Sequence, residues 1–99
     1  MIIGSLFRLN SEYGLSNKIF IYDDYPPSVI DPERDTWHTA NGILKLTDDH
    51  VFMLLEDRAA IDRINPGLST KMYKILLTTG VVGWYHGNDD WFVEVKETT

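Results

Sequence analysis

The chain carries its clearest structural signal at residues 71–95, which read KMYKILLTTGVVGWYHGNDDWFVEV. Its first residues alternate, with Tyr73, Ile75 and Leu77 on one side and Lys74 on the other, which is the pattern of a half-buried strand. Thr79 and Gly80 then mark a tight turn, and residues 81–85 and 91–96 indicate two further strands beyond it. The stretch therefore predicts a three-stranded β-meander.

Short strands are also indicated upstream of this meander, each separated from the next by turn residues. They are predicted at residues 2–10, 18–22, 36–40, 43–46 and 50–55. Residues 56–64 are the only helical candidate, with one or two turns that Asn65-Pro66-Gly67 would end. Residues 23–35 contain three prolines, which lack the N–H of a ladder, so we predict an extended surface loop that is either mobile or in contact with a partner.

Two stretches of this chain resemble the Src-homology-3 family and its bacterial and viral relatives. Residues 43–56, ILKLTDDHVFMLLE, resemble the family's diverging turn, and residues 72–95 resemble its distal hairpin, Gly-Trp strand, 3₁₀ turn and last strand. The resemblance implies an all-β fold, a small Src-homology-3-like barrel with elaborated N-terminal loops and at most one short helix. Met72 and His86 replace aromatic and proline residues of the family's peptide groove, so recognition of proline-rich peptides is not implied.

The composition sets limits on the class of protein. A chain of 99 residues predicts a single domain over residues 1–99. The absence of cysteine excludes disulfides and thiolate metal sites. Fifteen acidic residues against nine basic ones give a net charge of −6, which disfavours nucleic acid and anionic membranes as partners. No apolar run approaches a membrane span and no signal peptide is recognised, so we expect a cytoplasmic protein, or a virion-associated one if viral.

Aromatic residues are the best candidates for a binding surface, because Trp and Tyr combine a large contact area with a polar group. Trp84 and Tyr85 must face opposite sides of one strand, and we expect Tyr85 to point inward and Trp84 to be more exposed. The alternative is that the rings only fill the core. The predicted binding residues are Trp84, Trp91, Tyr25, Trp37 and His86.

Catalysis and metal binding are not indicated. The serines lack a nucleophile-elbow context, and the acidic pair Asp23 and Asp24 lacks a defined partner for acid–base work. The HGNDD sequence at 86–90 matches no calcium-loop pattern and is better explained as a polar turn. We therefore predict no catalytic residue, no metal and no cofactor.

The function predicted from these features is a non-enzymatic protein-binding or assembly module of unknown partner. The first alternative is self-association into a homo-oligomer through an open strand edge, such as residues 18–22. A second alternative is a small metal-dependent enzyme with its site near His38 or His86.

Overall fold

Alternating apolar residues build an all-β fold, as the sequence predicts. The computed structural model describes residues 2–30 and 40–95, and this part of the chain contains eight strands, two 3₁₀ turns and no α-helix. The 3₁₀ turns are Ser11–Tyr13 and Asp89–Trp91. The strands are β1 (Leu6–Leu9), β2 (Ile19–Tyr22), β3 (Val29–Ile30), β4 (Gly42–Leu46), β5 (Phe52–Asp62), β6 (Ser69–Leu77), β7 (Val82–Gly87) and β8 (Phe92–Glu94).

The strands form one antiparallel sheet that curls into a half-barrel. Its order is β4-β2-β7-β6-β5-β1-β8, and β3 pairs with β5 beside this path. The concave side holds the main core, because the apolar member of each alternating pair points to it. The largest fully buried side chains of this core are Tyr73, Tyr85, Phe52, Leu9, Ile21, Leu46, Leu54 and Ile75.

The meander at 71–95 is confirmed. A tight turn joins β6 to β7, with the Gly80 N–H donating to the Leu77 carbonyl at 2.9 Å. Gly80 has a φ of 88°, in the left-handed region that glycine adopts without steric cost. Tyr73 stacks on Tyr85 with ring centroids 5.1 Å apart, and the Phe92 ring meets each of them edge-on at 5.0 Å. The three strands therefore share one aromatic core.

The helix predicted at 56–64 is wrong, because β5 continues through this segment. Residues Glu56 to Ile61 pair with β6 from Lys74 to Ser69. A register shift between Leu54 and Glu56 interrupts the strict alternation, which hides the strand from pattern analysis. A helix of this length is marginal alone, whereas the ladder to β6 satisfies the backbone of both strands. The distal part of this hairpin, residues 59–71, is called the hairpin arm.

The surface loop predicted at 23–35 is also wrong in its described part. Pro26 and Val29 are fully buried, and Val29–Ile30 forms β3 against Asp62 and Ile61 of the hairpin arm. The segment Asp23–Ile30, called the crossing segment, is held from the arm by Arg63. Its guanidinium donates to the Pro27 and Val29 carbonyls at 3.0 Å each, and its backbone N–H donates to the Ser28 carbonyl at 2.8 Å. Residues 31–35 and most of the predicted strand at 36–40 lie outside the described residues.

The open edge predicted at residues 18–22 is not at the end of the strand order. Strand β2 lies between β4 and β7; it pairs with β4 along Ile19–Tyr22 but with β7 only at Tyr22. The ends of the strand order are β4 and β8 instead.

Candidate binding groove

The sheet opens where β2 leaves β7. The ladder between these strands consists of the single pair Tyr22 and Trp84, although β7 continues to Gly87. Gly83 explains the close approach at this point, because a Cβ there would lie 2.1 Å from Ile21 Cγ2 and 3.0 Å from the Tyr22 carbonyl oxygen. Only a glycine lets the two strands meet at this distance. Beyond the Tyr22–Trp84 pair, the strands separate and a groove forms between them.

The groove consists of two adjoining cavities that share His86 and Trp91 as lining residues. The first, called the β2 cavity, has a volume of about 210 Å³ and lies beside β2. The second, called the arm cavity, has a volume of about 330 Å³ and lies beside Leu68 and Thr70 of the hairpin arm. Two of the predicted binding residues therefore lie together at the centre of one concave surface.

His86 is held by hydroxyl groups on both sides of its ring. Its Nδ1 lies 2.8 Å from the Ser28 Oγ of the crossing segment, and its Nε2 lies 2.7 Å from the Thr70 Oγ1 of β6. The Asp62 carboxylate is further away, with Oδ2 at 3.9 Å from Nε2. Burial lowers the pKa of His86, and the negative charge of Asp62 opposes part of this change. The imidazole is therefore neutral at pH 7, with one nitrogen donating and the other accepting.

Asp62 connects this site to the tip of the hairpin arm. Its Oδ1 accepts from the backbone N–H groups of Ile64 and Asn65 at 2.9 and 3.0 Å. These two hydrogen bonds are the main cause of the lowered pKa of Asp62. The carboxylate thus fixes the turn of the arm with one oxygen and faces His86 with the other.

Trp91 takes its position from a glycine and from the 3₁₀ turn Asp89–Trp91. A Cβ at Gly87 would lie 2.5 Å from Trp91 Cζ3 and 2.6 Å from Cε3, so the indole rests directly on the glycine backbone. The Trp91 carbonyl also accepts from the Asn10 N–H at 2.7 Å. The ring is half-buried against the core and lines both cavities.

Trp84 and Tyr25 form a separate cluster beside the groove. Their rings meet edge-on at 5.1 Å, and the Arg58 guanidinium lies 5.7 Å from the Trp84 ring and 5.9 Å from the Tyr25 ring. The Lys74 ammonium lies 5.7 Å from the Trp84 ring as well. Trp84 is half-buried whereas Tyr85 is fully buried, which confirms the prediction for this pair. Tyr25, Arg58 and Lys74 contact the Trp84 ring, which links the crossing segment to the sheet.

The turn at 86–90 is polar and well anchored. The Tyr73 hydroxyl donates to the Asp89 carboxylate, and the Lys71 ammonium lies 3.3 Å from Asp89 Oδ2. The hydrogen bond from Tyr73 is the main cause of the lowered pKa of Asp89. Burial raises the pKa of Tyr73. In the described ranges 2–30 and 40–95, no three His, Asp or Glu side chains come together as metal ligands.

The predicted site residues thus divide into three groups. His86 and Trp91 meet in the groove, Tyr25 and Trp84 meet beside it, and Trp37 lies outside the described residues, as does His38. Sequence analysis missed Ser28 and Thr70, because contacts between residues 58 and 16 positions apart leave no local pattern.

No protein-family model, curated protein or solved structure matched this chain. In the part of the chain that the structure describes, no helix has the length and apolar character needed to cross a membrane.

Proposed function

We propose that this domain is a non-enzymatic protein-binding module that takes an extended segment of its partner in the groove between β2 and β7. The observation that supports this most strongly is the pair of cavities that share His86 and Trp91 where the sheet opens. We also propose that the curled sheet belongs to a Src-homology-3-like barrel. The order of hairpin, 3₁₀ turn and last strand supports this assignment.

The groove has the composition of a binding site. The β2 cavity is lined mainly by apolar and aromatic residues, whereas the arm cavity also carries the polar residues Asp62, Thr70 and Asn88, and ligand pockets commonly combine both kinds of wall. His86 is neutral and already hydrogen-bonded to two hydroxyls, so it offers a shaped polar wall rather than an unsatisfied charge.

An extended segment suits this groove because it runs along a strand. β7 pairs with β6 through His86 and Gly87, whereas its ladder to β2 stops at Trp84. On the β2 side, the last residues of β7 therefore have no ladder partner, but Tyr85 and Gly87 are buried, so the partner segment would contact the side chains of the groove walls. The cavities on either side of His86 would then receive alternate side chains of that segment.

Alanine variants of the groove walls test this proposal. The wild-type domain is immobilised, a partner is captured from the native source, and its affinity for each purified variant is measured by calorimetry. We expect Trp91→Ala to weaken binding about tenfold or more, as for a central aromatic residue. Phe20→Ala should weaken it less, since Phe20 lines only the β2 cavity.

Val82→Ala is the matched control for Phe20→Ala. Val82 is 42% exposed, close to the 45% of Phe20, and it lines neither cavity. Its loss should leave the affinity unchanged. If the captured partner binds Trp91→Ala and Phe20→Ala as tightly as the wild type, the groove is not the binding surface.

Self-association is a second candidate, and the tip of the hairpin arm favours it. Ile64 is 85% exposed and Leu68 is 58% exposed, on a turn that Asp62 already holds. An ordered apolar tip loses little conformational entropy when it is buried against another chain. Light scattering at several protein concentrations measures the self-association. Ile64→Ser is the test variant, and Ile2→Ser is a control at another exposed position. A mass that stays monomeric at every concentration would exclude it.

A further inference from the structure

We infer that the β2 cavity takes the C-terminal residue of the partner, with its apolar side chain in the cavity and its carboxylate on Lys18. This inference rests on the proposed protein-binding function and names the part of the partner that binds.

The size and walls of the β2 cavity fit one apolar side chain. Leu15, Phe20 and Trp91 provide apolar surface on its walls, and the buried Ile19 and Pro26 lie behind them. The volume is about 210 Å³. An apolar cavity of about 150 Å³ already holds a benzene molecule, so a leucine or phenylalanine side chain fits. The cavity therefore has room for about one branched or aromatic side chain.

Lys18 is the charged residue among those that line this cavity. Its backbone N–H is fixed by the Leu15 carbonyl at 2.9 Å. Within residues 2–30 and 40–95, its ammonium group forms no ion pair. The nearby polar lining groups, Ser28 and His86, are hydrogen-bonded to each other. Lys18 is exposed, so its ammonium group is accessible to an anionic group on a ligand in this cavity.

A chain end satisfies both requirements with one residue. The cation and the apolar walls belong to one cavity of single-residue size, so the anion and the apolar group must lie close together on the ligand. An internal Asp or Glu would supply the anion from a different residue than the apolar side chain. A C-terminal Leu or Phe carries both on one Cα, and capture of a terminal carboxylate is an established mode of peptide recognition.

Short peptides test this directly. The ¹⁵N-labelled domain is titrated with acetyl-Gly-Gly-Leu as the free acid and as the C-terminal amide, and binding is followed by NMR. We expect shifts at Lys18, His86 and the Trp91 indole, with the free acid binding about two- to fivefold more tightly than the amide, the range of an exposed ion pair.

Lys18→Gln should remove this difference and leave binding of the amide unchanged. Lys74→Gln, which removes a cation beside Trp84 on the same sheet, should keep it. Equal binding of acid and amide to the wild type would overturn the inference, as would shifts confined to another surface or no binding of the free acid.

Two further results distinguish binding of a chain end from binding of a small carboxylate and from protein binding in general. If 4-methylpentanoate binds as tightly as the tripeptide acid, the cavity recognises a small carboxylate and the inference of a protein chain end is wrong. If acid and amide bind equally in the groove, the chain-end inference fails while the proposed protein-binding function stands. Retention of full partner affinity by both Trp91→Ala and Phe20→Ala would contradict the proposed binding in the groove itself.

Discussion

The two sides of β7 differ sharply. Towards β6, the strand forms a continuous ladder of six residue pairs, from Val82 with Leu76 to Gly87 with Lys71. Towards β2, it forms one pair, and a groove begins beside it. The β6 side closes the aromatic core, whereas the β2 side borders the two cavities. One strand thus provides both the centre of the fold and the wall of the candidate site.

The largest effect on stability is expected from adding a side chain where β2 and β7 are in close contact. In Gly83→Ala, the new Cβ would meet Ile21 Cγ2 at 2.1 Å and the Tyr22 carbonyl oxygen at 3.0 Å. Neither the branched side chain nor the backbone can move freely, so we expect a loss of about 2–3 kcal/mol in the free energy of unfolding. Urea denaturation measures it.

Gly67→Ala is the control for this change. Nothing lies within 4 Å of a Cβ at Gly67, and its φ is not positive. Its effect should stay within about 0.5 kcal/mol. Equal stability of the Gly83 and Gly67 variants would show that β2 and β7 do not approach closely at Gly83.

A smaller and more local effect is expected at Gly87. A Cβ there would lie 2.5 Å from the Trp91 ring, which must move because the backbone of β7 is held by β6. We expect Gly87→Ala to cost about 1–2 kcal/mol and to shift the Trp91 indole signal in NMR spectra, since the ring is displaced from the groove. An unchanged indole signal would place Trp91 elsewhere.

The two stacked tyrosines of the closed side should respond in opposite directions. Tyr73→Phe removes the hydrogen bond to Asp89 and should cost about 1–2 kcal/mol. The Tyr85 hydroxyl is buried and has no hydrogen-bond partner among the described residues. Tyr85→Phe should therefore be neutral or stabilise by up to about 1 kcal/mol. Thermal unfolding of both variants checks this, and a larger loss for Tyr85→Phe would reveal a partner for its hydroxyl.

The smallest expected effect is the pH dependence at His86. Its pKa is lowered in the folded state, so the unfolded chain binds more protons as the pH falls below the ordinary histidine value of about 6.5. The stabilisation by neutral His86 is therefore complete above this value and is lost as the pH falls through the folded pKa. Asp62 and Asp89, whose pKa values are also lowered, lose their contributions only in the more acidic range of carboxylates.

Denaturation curves from pH 7 to pH 5 separate these groups. The wild type should lose stability across this range, whereas His86→Gln should show a flatter profile because the titrating ring is gone. A steeper loss in His86→Gln than in the wild type would contradict a neutral, buried imidazole.

The sequence predicts the strands with unbroken alternation, but it does not predict the register shift in β5 or the burial of the crossing segment. Tyr73, Ile75 and Leu77 are every second residue of an unbroken strand, so their burial follows from the two-residue repeat of a β-strand alone. The register shift after Leu54 breaks the same pattern in β5 and made a strand resemble a helix. The crossing segment was mistaken for a surface loop, because burial of Pro26 and Val29 depends on Arg63 and on β5, both distant in sequence.

The candidate site shows the same division. Trp91 and His86 were predicted as binding residues from their types, but their meeting in one groove depends on Gly87 and on the separation of β2 from β7. Trp84, which is half-buried like Trp91, instead contacts Tyr25, Arg58 and Lys74 beside the groove. Residue type indicates which side chains are able to bind, whereas exposure depends on neighbours that come from other strands.

The sequence by itself determined an all-β chain, the meander at 71–95 with its turn at Gly80, and the opposite directions of Trp84 and Tyr85. These features depend on alternation and turn chemistry within a few residues, which act before any distant contact forms. Tertiary structure alone decided the continuation of β5, the burial of the crossing segment and the opening beside β7. Each of these features depends on a contact between segments that are distant in sequence, and such a contact leaves no pattern in the local sequence of either segment.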